Sequence, residues 1–507
     1  MNATSVFANR TLKDIYDEIR TVYLSDNRPW ILGFSGGKDS TCMVQLIWNA
    51  ISELPQEKLH KNIFVISSDT LVESPKIVQQ ITSTLDKMES AAKESKLPIS
   101  TNLVRPVVED TFWVCLLGKG FPSPSNLFRW CTDRLKIRNA DRFITEKVSE
   151  YGEAIVVLGS RKSESGSRQQ LMNLYEIKGS LLSRHSKFAQ TYVYTPLRDF
   201  ITEDVWNYLL QNKNPWGANN RDLLAIYQNA NASECPLVVD TSTPSCGNSR
   251  FGCWVCTVVT EDTSLKNMIE NGEDWMEPLL ELREELKETQ DPEKRKGIRE
   301  LKRRGGQMKL IDENRLVSVH QKIAESREKN TLSEEEIHSD PYSVLVPGPY
   351  TLEFCKSFLE KLLIAQKKVR KNGPDPHMEL ITEPELHEIQ RIWRMERGDW
   401  KNSVYQIYDK VFVEKLQVIQ EDLGGFGSLE QELLEETCNK NNLPQLLVSK
   451  LLNAEFEHQG MTRHSKIYIQ INKILSEEWR DDIKEIIRDL RQNREEKINY
   501  KNYNWNK

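Results

Sequence analysis

A glycine-rich hexapeptide with one lysine and one aspartate, Ser35-Gly36-Gly37-Lys38-Asp39-Ser40, has the residue types of a phosphate-binding turn. Glycine lets the backbone approach a ligand, and the amides that begin a following helix point outward toward an anion. A Walker A loop needs four residues between its first glycine and the Gly-Lys pair, but three separate Gly33 from Gly37. Asp39 also stands where that loop has Ser or Thr. The hexapeptide therefore predicts a site for nucleotide phosphates, but not an ordinary Walker A NTPase.

Three cysteines form a C-x6-C-x2-C array: Cys246, Cys253 and Cys256. The paired end of such an array can chelate one metal centre, for which a fourth ligand is needed. Four thiolates bind either a [4Fe-4S] cluster or a structural zinc ion, and spacing alone does not distinguish them. Cys235 is the reserve ligand in place of Cys246. The isolated cysteines are expected to be small buried side chains; these are Cys42, Cys115, Cys355 and Cys438.

The hexapeptide follows an apolar run at 30–34 and precedes apolar residues at helical spacing over 41–54, which is typical of strand, turn and helix. Further strands are expected at 63–66, near 103–108 and at 154–158. Helices are expected at 12–24, 77–95 and 135–151. Strands that alternate with helices predict an α/β fold, a doubly wound parallel sheet covered on both faces.

Beyond about residue 260 the chain consists of long, charged, leucine-punctuated segments, in which Leu279, Leu282 and Leu286 share one helix face. We therefore expect an α/β domain over residues 1–260, a charged helical extension over 261–345 and a helical domain over 346–507. The densest basic stretch, 294–304, either meets DNA phosphates or is a solvated face.

The composition is that of an ordinary soluble protein: 507 residues, a formal charge of -6, 28% charged residues and a mean hydropathy of -0.58. Any contact with nucleic acid must therefore be a local patch. The first 20 residues lack the apolar core of a secretion signal, and 18 apolar residues never run uninterrupted. Nine cysteines, mostly isolated, fit reduced thiols better than a disulfide framework. We expect a cytoplasmic protein without membrane contact.

The hexapeptide resembles the SGGxD[ST] loop of the PP-loop ATP pyrophosphatases, a superfamily that includes PAPS reductases, GMP synthetase and tRNA thiolation enzymes. The resemblance implies that the loop holds ATP, with Asp39 as a ligand of Mg²⁺. It also implies that ATP is cut between its α and β phosphates, so that an oxygen is adenylated and becomes a leaving group. Asp69 ends the second predicted strand, where related enzymes contact the nucleoside, although a surface turn is an alternative.

Two further segments resemble PAPS reductases. Residues 159–165, Gly-Ser-Arg-Lys-Ser-Glu-Ser, are similar to their GxRxxES element, and residues 196–206 are similar to their P-[IL]-x-D-[WF]-x-x-x-D-V-W segment. Arg161, at the carboxyl end of a predicted strand, is placed to contact a phosphate, the alternative being a surface ion pair. The catalytic residues implied are Lys38, Asp39 and Arg161. The residues implied to bind ATP are Ser35, Gly36, Gly37, Lys38, Asp39, Ser40, Asp69, Gly159 and Arg161.

Reduction of PAPS is not expected, because the chain lacks the E-C-G-x-H tail that carries the reductases' catalytic cysteine. Residues 129–136 resemble the segment where iron-sulfur members of the reductase group place cluster cysteines. The resemblance thus implies a [4Fe-4S] cluster on Cys131, Cys246, Cys253 and Cys256, with zinc or unliganded thiols as the alternatives.

The combination of these motifs with a long helical extension resembles the DndC family of DNA phosphorothioation proteins. The resemblance implies that ATP adenylates a DNA backbone phosphate and that sulfur from a cysteine desulfurase replaces a non-bridging oxygen. It implies ATP, Mg²⁺ and a [4Fe-4S] cluster as cofactors, and DNA, the desulfurase and other Dnd proteins as partners. A tRNA-thiolating PP-loop iron-sulfur enzyme and a non-catalytic nucleotide-binding scaffold remain as alternatives.

Overall fold

The structure is a computed structural model that describes residues 4–230, 252–311, 340–413, 415–417, 428–458 and 465–505. The chain divides into two compact units. The first comprises residues 1–107 and 128–276, and the second comprises residues 108–127 and 277–507. This division rests on compactness, and the domain boundaries expected at residues 260 and 345 stay predictions.

The first unit is built on a sheet whose strands, in the described residues, have the order β3-β2-β1-β4-β6-β5. All neighbouring strands are parallel except β5 and β6. The strands are β1 (Trp30–Gly33), β2 (Ile63–Ser68), β3 (Ile99–Val104), β4 (Ala154–Val157), β5 (Leu182–Arg184) and β6 (Thr191–Tyr194). The predicted parallel sheet is confirmed, although β3 begins four residues before the position expected for it and β5 and β6 were not predicted.

Helices cover both faces of this sheet. In β1, Trp30 and Leu32 belong to one apolar cluster while Ile31 belongs to another, as the two-residue period of a strand requires. The helices of this unit are α1 (Leu12–Leu24), α2 (Lys38–Ser52), α3 (Pro75–Glu94), α4 (Trp130–Thr132), α5 (Arg138–Tyr151), α6 (Gly166–Leu174), α7 (Thr202–Gln211), α8 (Asn220–Ala230) and α9 (Thr263–Glu270). The expected doubly wound architecture is therefore present.

The second unit is mainly helical, as predicted. Its helices are α10 (Glu277–Glu288), α11 (Pro341–Val344), α12 (Leu352–Asn372), α13 (Glu383–Arg397), α14 (Ser403–Phe412), α15 (Ser428–Lys440), α16 (Gln445–His458), α17 (Ser465–Leu475) and α18 (Ile483–Trp505). The leucine face expected in α10 is buried, with Leu279, Leu282 and Leu286 at most 4% exposed. No described helix is long and apolar enough to cross a membrane.

Residues 108–127 belong to this helical unit although they follow β3 in the chain. The Trp113 indole Nε1 donates a hydrogen bond of 2.7 Å to the carbonyl of Leu380. The Trp393 Nε1 donates one of 2.8 Å to the carbonyl of Leu117. Both tryptophans are fully buried, so these bonds satisfy polar groups that would otherwise lie unpaired in an apolar core.

Candidate nucleotide site and cysteine cluster

The hexapeptide, residues 35–40, connects the carboxyl end of β1 to α2, and Gly159 and Arg161 follow the carboxyl end of β4. The two strands are neighbours in the sheet, and β2 lies on the other side of β1. The chain therefore turns in opposite directions from β1, and ligands of doubly wound sheets bind at such a switch point. The residues predicted to bind ATP from these two loops lie at one edge of the sheet.

The backbone of the hexapeptide forms a tight turn into α2. Gly36 has a φ of +72°, a conformation that side chains with a Cβ rarely adopt. The Ser35 amide donates to the Ser40 hydroxyl at 3.2 Å, and that hydroxyl donates to the Gly37 carbonyl at 3.0 Å. Gly37 is the N-cap of α2 and has no side chain to cap its amides. The positive end of the helix dipole thus faces the turn, which suits an anion.

Gly159 packs directly against the hexapeptide. A Cβ at Gly159 would lie 2.9 Å from the Asp39 carbonyl oxygen and 3.0 Å from its carbon. Both atoms belong to the backbone, so they cannot move aside as a flexible side chain would. Glycine at this position therefore allows the turns after β1 and β4 to touch.

Three charged side chains meet between these turns. Lys38 and Arg161 are only 5% and 3% exposed. The Asp39 carboxylate lies between them, with Oδ2 3.0 Å from the Lys38 Nζ and Oδ1 2.7 Å from the Arg161 Nε. The contact between Oδ1 and Nε has the distance of an ion pair without the alignment of a hydrogen bond. Together the three side chains carry one net positive charge in a sheltered position, which a phosphate group would balance.

Arg161 is held by two further contacts. Its Nη1 donates to the hydroxyls of Ser163 and Thr202, each at 3.2 Å. Ser163 lies in the same GxRxxES-like element, and Thr202 begins α7 within the second reductase-like segment. The two segments that were singled out in the sequence thus meet at this arginine. Its ion pair with Asp39 is buried rather than at the surface, and its contact with a phosphate stays a prediction.

Magnesium binding by Asp39 is restricted by these ion pairs. Each oxygen of the carboxylate already faces a cation, and a dication added to this arrangement would be repelled. Mg²⁺ usually binds through one or two carboxylates together with substrate phosphates. Asp39 could therefore hold Mg²⁺ once nucleotide phosphates have taken over Lys38 or Arg161, and its role as a metal ligand stays a prediction.

Asp69 lies just after β2 and is 5% exposed. Its Oδ2 accepts from the Arg105 Nε at 2.9 Å, and its Oδ1 accepts from the Leu71 amide at 2.9 Å. These contacts hold the turn after β2, where Leu71 has a φ of +63°. The contact expected between Asp69 and the nucleoside stays a prediction.

A cavity of about 210 Å³ opens beside the hexapeptide. Ser35 and Gly36 line it together with Ile77 and Ile81 of α3 and Trp216. Its wall thus combines the phosphate-binding turn with apolar side chains, which are the usual lining of a small-molecule site.

Tyr227, in α8, contacts the hexapeptide and was not singled out in the sequence. Its hydroxyl accepts from the Lys38 amide at 3.2 Å, and its ring centroid lies 5.4 Å from the Lys38 Nζ. The Tyr227 oxygen therefore occupies a position on a helix-initiating amide that a phosphate oxygen could take. A tyrosine in an amphipathic helix gives no sequence signal for this role.

The paired cysteines are tied to the turn after β2. The Cys256 amide donates to the Cys253 carbonyl at 3.0 Å, and the Trp254 amide donates to the Val72 carbonyl at 3.0 Å. The Thr70 hydroxyl lies 3.3 Å from the Cys253 sulfur. These contacts place the paired end of the cysteine array at the carboxyl end of β2, on the same edge of the sheet as the hexapeptide.

Cys131 shares this neighbourhood. It lies in α4, which a π-helical turn (Asp133–Ile137) separates from α5, and such turns are frequent at functional sites. Burial raises the pKa of the Cys131 thiol, and the nearby charge of Cys256 raises it further. Burial raises the pKa of the Cys253 thiol to about 12. Burial lowers the pKa of Lys136, but the neighbouring charges of Cys253 and Glu73 outweigh it, so the net shift is upward.

The described residues supply three of the four thiol ligands expected for a metal centre that prefers sulfur ligands. Three thiols of the predicted set are neighbours, and the Lys136 cation nearby favours thiolates. Cys246, the fourth expected ligand, and Cys235, its reserve, lie outside the described residues. Among the described residues, no group of three or more His, Cys, Asp or Glu is placed to hold a metal ion. The [4Fe-4S] cluster therefore stays a prediction, as does the choice between iron-sulfur and zinc.

The four isolated cysteines are buried, as predicted. Cys42, Cys115 and Cys355 are 0% exposed, and Cys438 is 2% exposed. They pack as small apolar side chains, which leaves Cys131, Cys253 and Cys256 as the partly exposed thiols of the described residues.

Two segments of the chain match known protein families. Residues 29–258 match the family described as phosphoadenosine phosphosulfate reductase domain. Residues 429–476 match the family described as a small protein found in certain Dnd DNA modification systems. No curated protein matches the chain significantly.

Two solved structures that resemble the chain share little sequence identity with it. Phosphoadenylyl-sulfate (PAPS) reductase from Candida auris, in a phosphate complex, is 15% identical, with a TM-score of 0.26, over 42% of this chain and 84% of that one. The U34-tRNA thiolase NcsA from Methanococcus maripaludis, with its [4Fe-4S] cluster, is 16% identical, with a TM-score of 0.25, over 55% of this chain and 80% of that one. By the family matches, residues 29–258 are similar to the phosphoadenosine phosphosulfate reductase domain, and residues 429–476 are similar to a small protein found in certain Dnd DNA modification systems.

Proposed function

We propose that this protein is an ATP pyrophosphatase and sulfurtransferase of DNA phosphorothioation, of the DndC type. The observation that carries the proposal is the hexapeptide turn, closed by Gly159, with the buried Lys38 and Arg161 on either side of the Asp39 carboxylate. The match of residues 429–476 supports a DNA modification system and other Dnd proteins as partners. We propose that it acts in the cytoplasm.

In the first step, a non-bridging oxygen of a DNA phosphate attacks the α-phosphorus of ATP. The bond from that phosphorus to the α–β bridging oxygen breaks, and pyrophosphate leaves with the electron pair. Lys38 and the amides that begin α2 stabilise the charge that develops on the pyrophosphate. Arg161, held by Ser163 and Thr202, orients a phosphate oxygen by a charged hydrogen bond. Mg²⁺ carried by the nucleotide would neutralise part of the phosphate charge.

In the second step, sulfur at the oxidation level of sulfide attacks the adenylated DNA phosphorus. AMP leaves with the former non-bridging oxygen, so the exchange involves no net oxidation or reduction at phosphorus. A cysteine desulfurase is the proposed source of sulfur; it supplies the sulfur as a persulfide, and a thiol reductant supplies the two electrons that bring the sulfur to the level of sulfide. Cys131, Cys253 and Cys256 would hold a [4Fe-4S] cluster with Cys246, and a bound cluster would supply the route by which sulfur reaches the phosphate.

Pyrophosphate release tests the first step. Purified protein with Mg²⁺, ATP and DNA is expected to release pyrophosphate, and Lys38→Ala is expected to abolish that release. Lys61→Ala is a matched control because Lys61 is also buried and ion-paired, 2.8 Å from Asp26, but lies before β2 at the amino ends of the strands. The control should keep its activity per folded molecule. The scaffold alternative is correct instead if the wild-type protein releases no more pyrophosphate than Lys38→Ala.

The sulfur acceptor is tested in cells. Mass spectrometry of digested DNA should find phosphorothioate dinucleotides with the wild-type gene and its operon, and none with Cys253→Ala. Cys438→Ala, which removes a buried cysteine of the second unit, should leave them unchanged. Sulfur lost from tRNA nucleosides rather than from DNA would favour the tRNA-thiolating alternative, and phosphorothioates that persist with Cys253→Ala would contradict the sulfur role.

A further inference from the structure

A cavity of about 1020 Å³ lies within the second unit. We call it the C-terminal basic cavity; it is lined by residues 299–306 and by side chains of α13, α16, α17 and the start of α18. Its lining includes ten Lys and Arg side chains but only four Asp and Glu side chains. The whole chain, in contrast, has a formal charge of -6. Five of these cations are paired with carboxylates of the lining or of neighbouring residues, and the others leave an excess of positive charge, which favours a polyanionic ligand.

Backbone hydrogen bonds fix residues 299–306, the segment that lines the cavity, near both of its ends. The Glu300 amide donates to the Pro349 carbonyl at 2.8 Å, and the Gly348 amide donates to the Glu300 carbonyl at 2.7 Å. At the other end, the Glu478 amide donates to the Gly306 carbonyl at 2.9 Å. The segment is non-helical but positioned, so its backbone needs little ordering when a ligand binds.

Several of the cations have no carboxylate partner among the residues that the structure describes. The side chains of Arg303 and Lys473 are exposed and form no ion pair within the described ranges. By contrast, the Arg304 Nε lies 2.9 Å from Glu396, so that charge is already balanced. Arg303 and Lys473 therefore offer charge to a ligand without first having to break an internal pair.

Trp479, one of the two aromatic residues that line the cavity, contacts two lysines. The Nζ atoms of Lys302 and Lys450 lie 5.5 and 5.4 Å from the ring centroid of Trp479. Ammonium groups over the ring leave less of it for a stacked base, which favours contacts to phosphate over contacts to bases. A volume at the upper end of the roughly 300–1,000 Å³ typical of small-ligand pockets also fits an extended chain of phosphates better than one small anion.

We propose that the C-terminal basic cavity binds the phosphodiester backbone of DNA and holds it without reading its sequence. The choice of DNA rests on the proposed function, while the preference for a repeated phosphate rests on the distribution of charge. Contacts to phosphates position a nucleic acid and carry no direct sequence information. The cavity therefore recognises negative charge that repeats along a backbone, and not a particular base sequence.

The test is equilibrium binding of the full-length protein to labelled duplex DNA over a series of salt concentrations. Arg303→Gln with Lys473→Gln removes two phosphate contacts. The negative slope of log affinity against log salt should then become shallower by about 1.8, since each phosphate contact contributes roughly 0.9 to its magnitude. The loss of affinity between about 50 and about 200 mM salt should correspondingly be about twelvefold smaller than for the wild type.

The matched control is Lys368→Gln with Lys371→Gln. It makes the same change of charge at exposed lysines of α12 that do not line the cavity. The control should bind DNA with the wild-type slope, and thermal unfolding of both variants should match the wild type. Equal slopes for the cavity variant and the wild type overturn the inference, as does competition by an acidic peptide but not by unlabelled DNA.

Failure of the inference is distinguishable from failure of the proposed function. If phosphorothioates form and the cavity variant binds DNA normally, the function stands and the inference falls. If no phosphorothioate forms under any condition but the cavity variant still loses its salt-dependent binding relative to the control, the inference stands and the function falls.

Discussion

Substituting Gly159 by alanine tests whether the turns after β1 and β4 must touch for the site to work. The added Cβ would lie 2.9 Å from the Asp39 carbonyl oxygen, whereas ordinary contacts begin at 3.4 Å. The backbone at Asp39 must then move by about 0.5 Å. A displacement of about 1 Å in a catalytic arrangement can cost roughly a hundredfold in rate, so about tenfold is expected for half that distance. Overpacking should also lower the free energy of unfolding by about 1–3 kcal/mol.

Two assays separate these effects. Urea unfolding measures the loss of stability, and pyrophosphate release per folded molecule measures the displacement of the turn. Gly166→Ala is the matched control because a Cβ there meets no heavy atom of the described residues within 4 Å, and the residue begins α6 just beyond the same element. It should leave both quantities close to the wild type.

The reasoning is refuted if Gly159→Ala retains full pyrophosphate release and wild-type stability. That result would mean that the two turns are not packed against each other in the working enzyme. Loss of stability alone, with full activity per folded molecule, would instead make Gly159 a packing residue whose position does not set that of Asp39.

Three further outcomes are expected. Tyr227→Phe should tighten ATP binding about two- to tenfold by calorimetry, because the Lys38 amide no longer has to give up a hydrogen bond worth about 0.5–1.5 kcal/mol; weaker binding would place the hydroxyl on the nucleotide. Cys256→Ala, purified anaerobically, should lose the iron and labile sulfide expected of the wild type, and a colourless wild-type protein that holds zinc would contradict the cluster. Burial raises the pKa of Asp399, but hydrogen bonds, first of all from Ser403, lower it more, so its folded-state pKa lies below the ordinary 3.8. The ionised Asp399 carboxylate therefore stabilises the fold at pH values above 3.8, and this stabilisation is lost as the pH falls through the folded-state pKa. The free energy of unfolding should thus depend less on pH below about 4 in Asp399→Asn than in the wild type.

The parts of the fold that the sequence predicts well are those with a strong local pattern. Helix α1 occupies the expected residues 12–24, and the turn after β1 has the predicted strand before it and helix after it. The expected strand at 103–108 is instead β3 at Ile99–Val104. Most of β3 is only half-buried, so its residues alternate weakly and the apolar pattern does not fix its bounds. Strands β5 and β6 are short and pair with each other at the sheet edge, where no continuous apolar run marks them.

The candidate site was predictable only where its residues are adjacent in the chain. Lys38 and Asp39 were found through their glycines, and Arg161 through a short motif that follows a strand. Tyr227 was missed because it reaches the turn from 189 residues away through tertiary packing. Thr202, which begins α7, was likewise not expected to hold Arg161, since only the folded chain brings the two segments together.

The helical unit is built from two segments that are distant in the chain, residues 108–127 and 277–507, and this affects its folding during synthesis. Trp113 and its partner Leu380 are 267 residues apart, and a ribosome adds roughly 5–20 residues per second. The tryptophan therefore waits roughly 13–50 s after its synthesis before the carbonyl that accepts its hydrogen bond exists. During that interval the apolar side chains of residues 112–117 have no finished core to enter, which exposes them to aggregation or to a chaperone. Translation speed beyond residue 127, and not only the final stability, should thus govern how much of the chain reaches its folded state.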